Sequence, residues 1–233
     1  MPTSQHLQIA TIMDFIISTN PSKLLDIGVG FGKYGFLSRE YLELWDGRDE
    51  FDNWIRTIDG IEIHDKYITP VHTFIYDNIY IGNALDVLPE LNKDYDLILI
   101  IDVLEHFNYE DGLKLIYECT TRGKNVLISV PNHMIRRVEA FGNRYEAHLF
   151  QWERSHFGRF PQKIILPNVG GSLIVYIGER SRGLSLENRF ISLSGFPKRP
   201  HYVYYQVQAQ LISLLDIVHL KKPLKRLLNR GTH

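Results

Sequence analysis

A cluster of glycines follows a short apolar run near the N-terminus, in the sequence LLDIGVGFGKYG from Leu24 to Gly35. Glycine lacks a side chain and tolerates positive φ, so a glycine-rich turn lets a ligand contact the main chain directly. A helix that begins just after such a turn adds unpaired backbone N–H groups. Asp26 precedes the glycines, and its carboxylate favours a cationic ligand over a pyrophosphate. We therefore predict a ligand-binding turn that contains Gly28, Gly30 and Gly32.

Glu62 lies at the end of the next apolar run, in the sequence IDGIEIH. A carboxylate at the end of a second parallel strand can accept hydrogen bonds from both hydroxyls of a ribose. We therefore expect an adenosine-like ligand. The separation between Gly28 and Glu62 exceeds the roughly 20 residues of the dinucleotide fingerprint, which argues against a nicotinamide cofactor.

Simpler interpretations of these residues stay open. The glycines can serve only a tight turn, and Glu62 can be an ordinary exposed acid at a strand end. Gly30, Gly32 and Gly35 also match the G-x-G-x-x-G pattern of dinucleotide-binding folds. An NAD-dependent oxidoreductase therefore remains an alternative.

Short apolar runs separated by helix-forming segments indicate the elements that position these residues. Three of the runs are nearly continuous Ile, Leu and Val, which is typical of parallel strands covered on both faces. Alternating strands and helices predict an α/β fold with a Rossmann-like, mostly parallel sheet flanked by helices. The predicted strands are 23–28, 57–63, 78–82, 96–102, 124–130 and 171–179.

An amphipathic helix is expected before the first strand, because apolar residues recur at helical spacing from Ile9 to Ile17. Ser4 is the predicted N-cap, and Asn20 with Pro21 should end the helix. Other segments lack such a clear pattern. Residues 133–160 are rich in His, Arg and aromatic residues without a clean period, which predicts a cap insertion.

Two parts of the chain are therefore expected, a domain at 1–180 and a C-terminal helical extension at 181–233. Apolar residues between Val203 and Val218 follow a helical stripe, and the basic sequence KKPLKRLLNR comes after them. This basic end can be simply solvated, or it can contact an anionic membrane surface or a phosphorylated acceptor.

The overall charge and the single cysteine limit the classes of function. The 233 residues include 26 Lys and Arg and 27 Asp and Glu, giving a formal net charge of -1, so we expect no nucleic-acid partner. Cys119 is the single cysteine, which excludes an internal disulfide and a CxxC metal site. The sequence shows no secretory signal and no apolar run of roughly 20 residues. We expect a cytoplasmic protein with no transmembrane segment, and a homodimer is left open.

Four sequence motifs, in this order, resemble those of the class I S-adenosylmethionine-dependent methyltransferases. They are LLDIGVGFGKYG, IDGIEIH, YIGNALDVLPEL and YDLILIIDVLEHF, and the resemblance covers residues 23–132. It implies a seven-stranded sheet that ends in a reversed hairpin, with S-adenosylmethionine as cofactor. The residues that the resemblance places at the cofactor are Asp26, Gly28, Gly30, Gly32, Glu62, Ile63, Asn83, Ala84, Asp102 and Val103.

The resemblance also implies individual roles for these residues. Asp26 would lie near the methionine moiety, Glu62 would bind the ribose, and Asn83 would meet the adenine edge. Many family members have Asp at the position of Asn83, although an amide oxygen can also accept from the adenine amino group. Alternatively, Asn83 is a turn residue and Asp102 caps the helix that follows it.

The sulfonium of S-adenosylmethionine is already activated, so a base is needed only for a hydroxyl or an acidic carbon. Candidate bases are His106, His133 and His148, with a structural role for each as the alternative. Acceptor-pocket candidates are Arg144, Tyr145 and Trp152. No metal site is expected.

Together these features predict a methyltransferase that acts on a small molecule or a biosynthetic intermediate, at oxygen or nitrogen. A non-catalytic binding module with the same fold is the first alternative, and the NAD-dependent oxidoreductase is the second.

Overall fold

A computed structural model describes residues 4–44, 53–133 and 139–181 of the chain. One seven-stranded sheet organises these residues, with helices packed beside it. The strands are β1 (Lys23–Ile27), β2 (Thr57–Glu62), β3 (Asn78–Ile81), β4 (Leu97–Ile101), β5 (Asn125–Pro131), β6 (Lys163–Val169) and β7 (Ser172–Gly178). The α-helices are α1 (Ile9–Thr19), α2 (Lys33–Glu43), α3 (Pro70–Ile75), α4 (Ala84–Glu90) and α5 (Tyr109–Arg122).

The strand order across the sheet is β3-β2-β1-β4-β5-β7-β6. The first five strands pair in parallel, and β7 runs antiparallel to both β5 and β6. The prediction of a mostly parallel α/β sheet with a final reversed hairpin is therefore confirmed.

β6 is the strand that the apolar runs did not indicate. Its sequence, KIILPNV, contains Pro167, and its register with β7 shifts between Leu166 and Val169. Proline is tolerated there because β6 is an edge strand, where one side of the backbone needs no partner strand. Because β6 is only partly buried and is interrupted by Pro167, its sequence has no continuous apolar run that would predict a strand.

The central strands are buried because helices cover both faces of a parallel sheet. Every residue of β4 is buried, as are the first six of β5. Ile27 at the end of β1 aligns with Ile61 of β2 and with Ile100 of β4. The carboxyl ends of three neighbouring strands therefore lie side by side, and the residues that follow them share one edge of the sheet.

The expected opening helix is present as α1, and it ends at Asn20 in the left-handed conformation with a φ of 51°. Its start differs from the prediction. A 3-10 turn at His6–Gln8 precedes the helix, so Ser4 does not cap it. Instead, Ser4 Oγ lies 3.0 Å from the hydroxyl of Tyr34 and its carbonyl accepts a hydrogen bond from Lys33 Nζ. Ser4 thus anchors the N-terminal segment on α2.

The described part of the cap insertion, residues 139–160, has two 3-10 turns at Arg144–Glu146 and Arg154–Phe157. The insertion is tied to the chain that follows β4. The backbone N–H of Leu149 donates to the carbonyl of Glu105 at 2.7 Å. Residues 134–138 and the helical extension predicted from 181 onward lie outside the described residues, except Ser181 itself.

Among residues 4–44, 53–133 and 139–181, no helix has both the length and the apolar character needed to cross a bilayer.

Candidate functional site

A cavity of about 300 Å³ lies at the edge of the sheet where β1, β2 and β4 end. Nine of the ten residues predicted at the cofactor line it: Asp26, Gly28, Gly30, Glu62, Ile63, Asn83, Ala84, Asp102 and Val103. The tenth, Gly32, lies outside the lining and forms the N-cap position of α2. A volume near 300 Å³ is at the lower end of the range for small-molecule sites.

The glycine turn is held tightly against β2 and the loop after β4. Gly28 has a φ of +73°, a conformation that residues with a side chain rarely adopt. Its N–H donates to the carbonyl of Ile61 at 2.8 Å. A Cβ on Gly28 would lie 2.5 Å from Cγ2 of Val103, so glycine is required by both conformation and space.

Glu62 is 5% exposed, so its interpretation as an ordinary surface acid is wrong. Its two carboxylate oxygens accept hydrogen bonds from the backbone N–H of Gly30 at 3.0 Å and of His64 at 2.9 Å. Burial raises the pKa of Glu62 above its ordinary value. The carboxylate therefore binds the glycine turn to the end of β2.

His72 supports the same turn, although the sequence did not indicate it. The backbone N–H of Thr69 donates to Nδ1 of His72 at 3.1 Å. The ring proton therefore lies on Nε2, which is 2.9 Å from the carbonyl of Gly30 and donates to it. The preceding Thr69-Pro70 pair marks a helix start, but no sequence pattern links it to the glycines.

Asp26 belongs to β1, just before the glycine turn, and is 2% exposed. The hydroxyl of Tyr76 donates to Asp26 Oδ2 at 2.7 Å. Burial raises the pKa of Asp26 to about 7. A Cβ on Gly35 would overlap the ring of Tyr76, so this glycine makes room for the tyrosine that holds Asp26.

Asn83 and Asp102 follow β3 and β4 into the cavity. Asn83 is the N-cap of α4, where its Oδ1 accepts from the N–H of Leu85 at 3.0 Å. Asp102 has a φ of 54° and does not cap the 3-10 turn after it. It accepts hydrogen bonds from Gln8 Nε2 at 2.8 Å and Ser129 Oγ at 2.6 Å. Asp102 thus links the N-terminal segment to the sheet.

A polar group that joins the cap to the segment after β2 also lines the cavity. The hydroxyl of Tyr67 donates to Glu146 Oε1 at 3.2 Å, and Asn143 Nδ2 donates to that hydroxyl at 3.3 Å. All three residues are buried and line the cavity. We call Tyr67, Asn143 and Glu146 the cap triad. The sequence did not indicate the cap triad, because Tyr67 is 76 residues from Asn143.

The three candidate histidines lie in different places. His106 lines the cavity, and its Nδ1 is 3.1 Å from the carbonyl of Ala147. Burial lowers the pKa of His106. The ring of His148 packs edge-on against His106 with centroids 5.0 Å apart, outside the cavity lining. His133 is exposed and lies outside the lining.

Of the three residues predicted for the acceptor pocket, the structure brings Tyr145 to the cavity. Arg144 is exposed and stacks on the Tyr145 ring. Trp152 is 1% exposed and lies in the core, where its indole N–H donates to the carbonyl of Leu104 at 3.0 Å. It packs against α5, since a Cβ on Gly112 would lie 2.5 Å from its ring. Trp152 therefore anchors the cap on α5 and does not line the cavity.

The sequence matches no protein-family model and no curated protein. Solved structures are similar at low sequence identity. The magnesium protoporphyrin IX methyltransferase (ChlM) of Synechocystis PCC 6803, with bound SAH, is 12% identical, with a TM-score of 0.51 over 75% of this chain and 84% of that chain. The small RNA methyltransferase HEN1 is 18% identical, with a TM-score of 0.51 over 74% of this chain and 25% of that chain.

An rRNA methylase from Escherichia coli is 19% identical, with a TM-score of 0.48 over 74% of this chain. The match spans 64% of that methylase, so this chain covers less than two thirds of its length. The described residues have the class I methyltransferase fold, which confirms the resemblance at the level of the fold. The names of the similar proteins include both RNA and small-molecule methyltransferases, so the fold leaves the class of acceptor open.

Proposed function

We propose that this protein is an S-adenosylmethionine-dependent methyltransferase that methylates an oxygen or nitrogen of a small molecule or biosynthetic intermediate. The observation that carries this proposal is the position of Asp26 and Glu62 on one cavity, at the ends of adjacent parallel strands. One carboxylate suits a positively charged group, and the other suits a ribose.

The donor and acceptor groups of the cavity fit such a cofactor. Each oxygen of Glu62 accepts a backbone N–H, and a carboxylate oxygen can accept a further hydrogen bond, here from a ribose hydroxyl. Ile63 and Ala84 offer apolar surface beside Asn83, where an adenine ring could pack. Asp26 lies near the glycine turn and would face a cationic amino-acid end.

S-Adenosylmethionine supplies an activated methyl group on a positively charged sulfur. The protein then has to align the acceptor and keep water away from it. The cap triad is suited to that task because it presents a phenol, an amide and a carboxyl group to the cavity, with the phenol hydroxyl hydrogen-bonded to the other two groups. This polar wall favours an acceptor with its own hydroxyl or amino groups.

His106 is the candidate base on the cavity wall. Its pKa is lowered by burial, so its ring stays neutral over a wider pH range and can accept a proton. The contact with Ala147 places the ring proton on Nδ1 and leaves Nε2 as the acceptor. His133 and His148 lie outside the lining and are less suited to this step.

Calorimetry with S-adenosylmethionine and S-adenosylhomocysteine tests the cofactor, with NAD as the matched control ligand. We expect both adenosyl compounds to bind at one site and NAD to leave the thermal stability unchanged. Stabilisation by NAD alone would contradict the proposal and favour the oxidoreductase.

Turnover is tested next with a methyl-labelled cofactor and libraries of small hydroxyl and amine compounds, with RNA as a separate arm. Methylation of a small molecule supports the proposed acceptor class. Methylation of RNA alone would contradict that class while keeping the activity. Cofactor binding with no turnover in any arm would favour the non-catalytic binding module.

A further inference from the structure

Three side chains beside the cavity form a group, and two of them, Glu105 and His148, take no part in the proposed methyl transfer. Glu105 and His106 belong to the 3-10 turn after β4, and His148 comes from the cap. One potential ligand atom from each of the three lies within 4.8 Å of the other two. We call these residues the His-Glu cluster.

Glu105 is the unusual member of the His-Glu cluster. It is 3% exposed, and its Oε2 has no hydrogen-bond partner among the described residues. A buried carboxyl oxygen without a partner is destabilising by roughly 1–3 kcal/mol or more. Its position therefore needs an explanation, and a bound cation would provide one.

The backbone around the His-Glu cluster holds the side chains in place. The carbonyl of Glu105 accepts from the N–H of Leu149 at 2.7 Å and of Phe150 at 3.3 Å. The cap segment that carries His148 is thereby fixed next to the turn that carries Glu105. His106 donates from Nδ1 to the carbonyl of Ala147, which directs Nε2 away from the backbone. Metal-binding histidines usually have this second hydrogen bond, which fixes the ring and its tautomer.

We propose that the His-Glu cluster binds a divalent transition-metal ion of the Zn²⁺ type. A carboxylate oxygen and two imidazole nitrogens are a common ligand set for such ions. Mg²⁺ and Ca²⁺ are less suitable because they prefer oxygen ligands. This site departs from the expectation of no metal, since the ligands come from two segments 42 residues apart with no motif spacing.

His106 is the member of the His-Glu cluster that lines the cavity, so an ion bound to it would lie at the cavity wall and would replace His106 as the proposed base. A hydroxyl or amine of the acceptor bound there would lose its proton more readily. This role rests on the proposed function, whereas binding of the ion does not. The two are therefore tested by different measurements on the same protein.

The experiment uses the untagged full chain, stripped with a chelator and titrated with Co²⁺, whose visible absorption reports nitrogen ligands and coordination number. Zn²⁺ is then added as a competitor, and metal content is measured by mass spectrometry. We expect one Co²⁺ per chain with a tetrahedral-type spectrum, displaced by one equivalent of Zn²⁺.

Variants identify the ligands. Glu105→Gln and His148→Gln should each weaken Co²⁺ binding by at least about 100-fold, because loss of a direct ligand should cost no less than the roughly 10- to 100-fold lost when a residue that only orients a ligand is changed. His6→Gln is the matched control, because His6 is an exposed histidine outside the cluster, and it should bind like the unmodified chain. Thermal unfolding with and without Zn²⁺ checks each variant, and the stabilisation by Zn²⁺ should disappear in the two cluster variants.

Two results would overturn the metal site. The unmodified chain could bind no Co²⁺, or the two cluster variants could bind it as tightly as the control. Either result would mean that the His-Glu cluster serves only the packing of the cap against the turn after β4. Calorimetry with S-adenosylhomocysteine on the metal-free chain gives a separate answer about the proposed function, so loss of one conclusion leaves the other intact.

Discussion

Replacement of Glu62 by Ala probes the cofactor site at its best-defined residue. Both carboxylate oxygens accept a backbone N–H, one from Gly30 in the glycine turn and one from His64 after β2. The substitution therefore removes the group proposed to bind the ribose and also releases the turn that forms the floor of the cavity. Both effects should weaken binding of the adenosyl ligand.

The expected magnitude follows from the hydrogen bonds that are lost. A hydrogen bond to a charged group contributes about 1.5–3 kcal/mol, and water in the enlarged cavity will partly replace the ribose contacts. We expect a net loss of about 2–3 kcal/mol, which corresponds to a roughly 30- to 150-fold higher dissociation constant.

Glu62→Gln should behave much like the Ala variant, although Gln has nearly the same shape as Glu. One of its two terminal atoms is an NH2 group, which would face a backbone N–H of Gly30 or His64. Two donors then oppose each other, so the amide cannot replace the carboxylate.

Calorimetry with S-adenosylhomocysteine measures these variants at mildly alkaline pH, because burial raises the pKa of Glu62. Glu90→Ala is the matched control, since Glu90 is an exposed acid at the end of α4. Circular dichroism and thermal unfolding establish that each variant is folded. A folded Glu62→Ala protein with an unchanged dissociation constant would refute the assignment of Glu62 to the site.

Three further predictions concern Asp26, Gly28 and Trp152. Burial raises the pKa of Asp26 from 3.8 to about 7, so the native state binds more protons than the unfolded state between these values. The contribution of Asp26 to the free energy of unfolding should therefore fall as pH rises through this window, and Asp26→Asn should lack that fall in pH-dependent denaturant titrations. Gly28→Ala should abolish most ligand binding. Adding Val103→Ala should restore only part of it, because the second substitution relieves the clash while the φ of +73° remains. Full recovery of binding in calorimetry would contradict the conformational argument. Trp152→Ala should lower the free energy of unfolding by about 3–5 kcal/mol, because the side chain is fully buried, and an undiminished urea midpoint would show that its packing is unimportant.

Local sequence patterns predicted the sheet and the turn because their causes are local. Runs of Ile, Leu and Val indicate buried strands, and the glycines after β1 indicate a turn that side chains would block. The end of α1 was also predicted from the sequence, because Asn20 adopts the left-handed conformation that often ends a helix.

Edge and terminal features were less predictable. β6 was not indicated by its own residues, because an edge strand with Pro167 has neither a continuous apolar run nor a clean alternation. Ser4 was expected to cap α1, but contacts with Tyr34 and Lys33 hold it elsewhere. Tertiary contacts outweighed a local preference in that case.

The sequence by itself determined the α/β class and the acids and glycines at the ends of β1 and β2. Only the tertiary structure decided what surrounds them. Tyr76 donates a hydrogen bond to Asp26, 50 residues away in the sequence, and Tyr67 donates one to Glu146, 79 residues away. Trp152 is buried in the core. The physical reason is that strand and turn formation depend on neighbouring residues, whereas the walls of a cavity are set by the packing of segments that are distant in the chain.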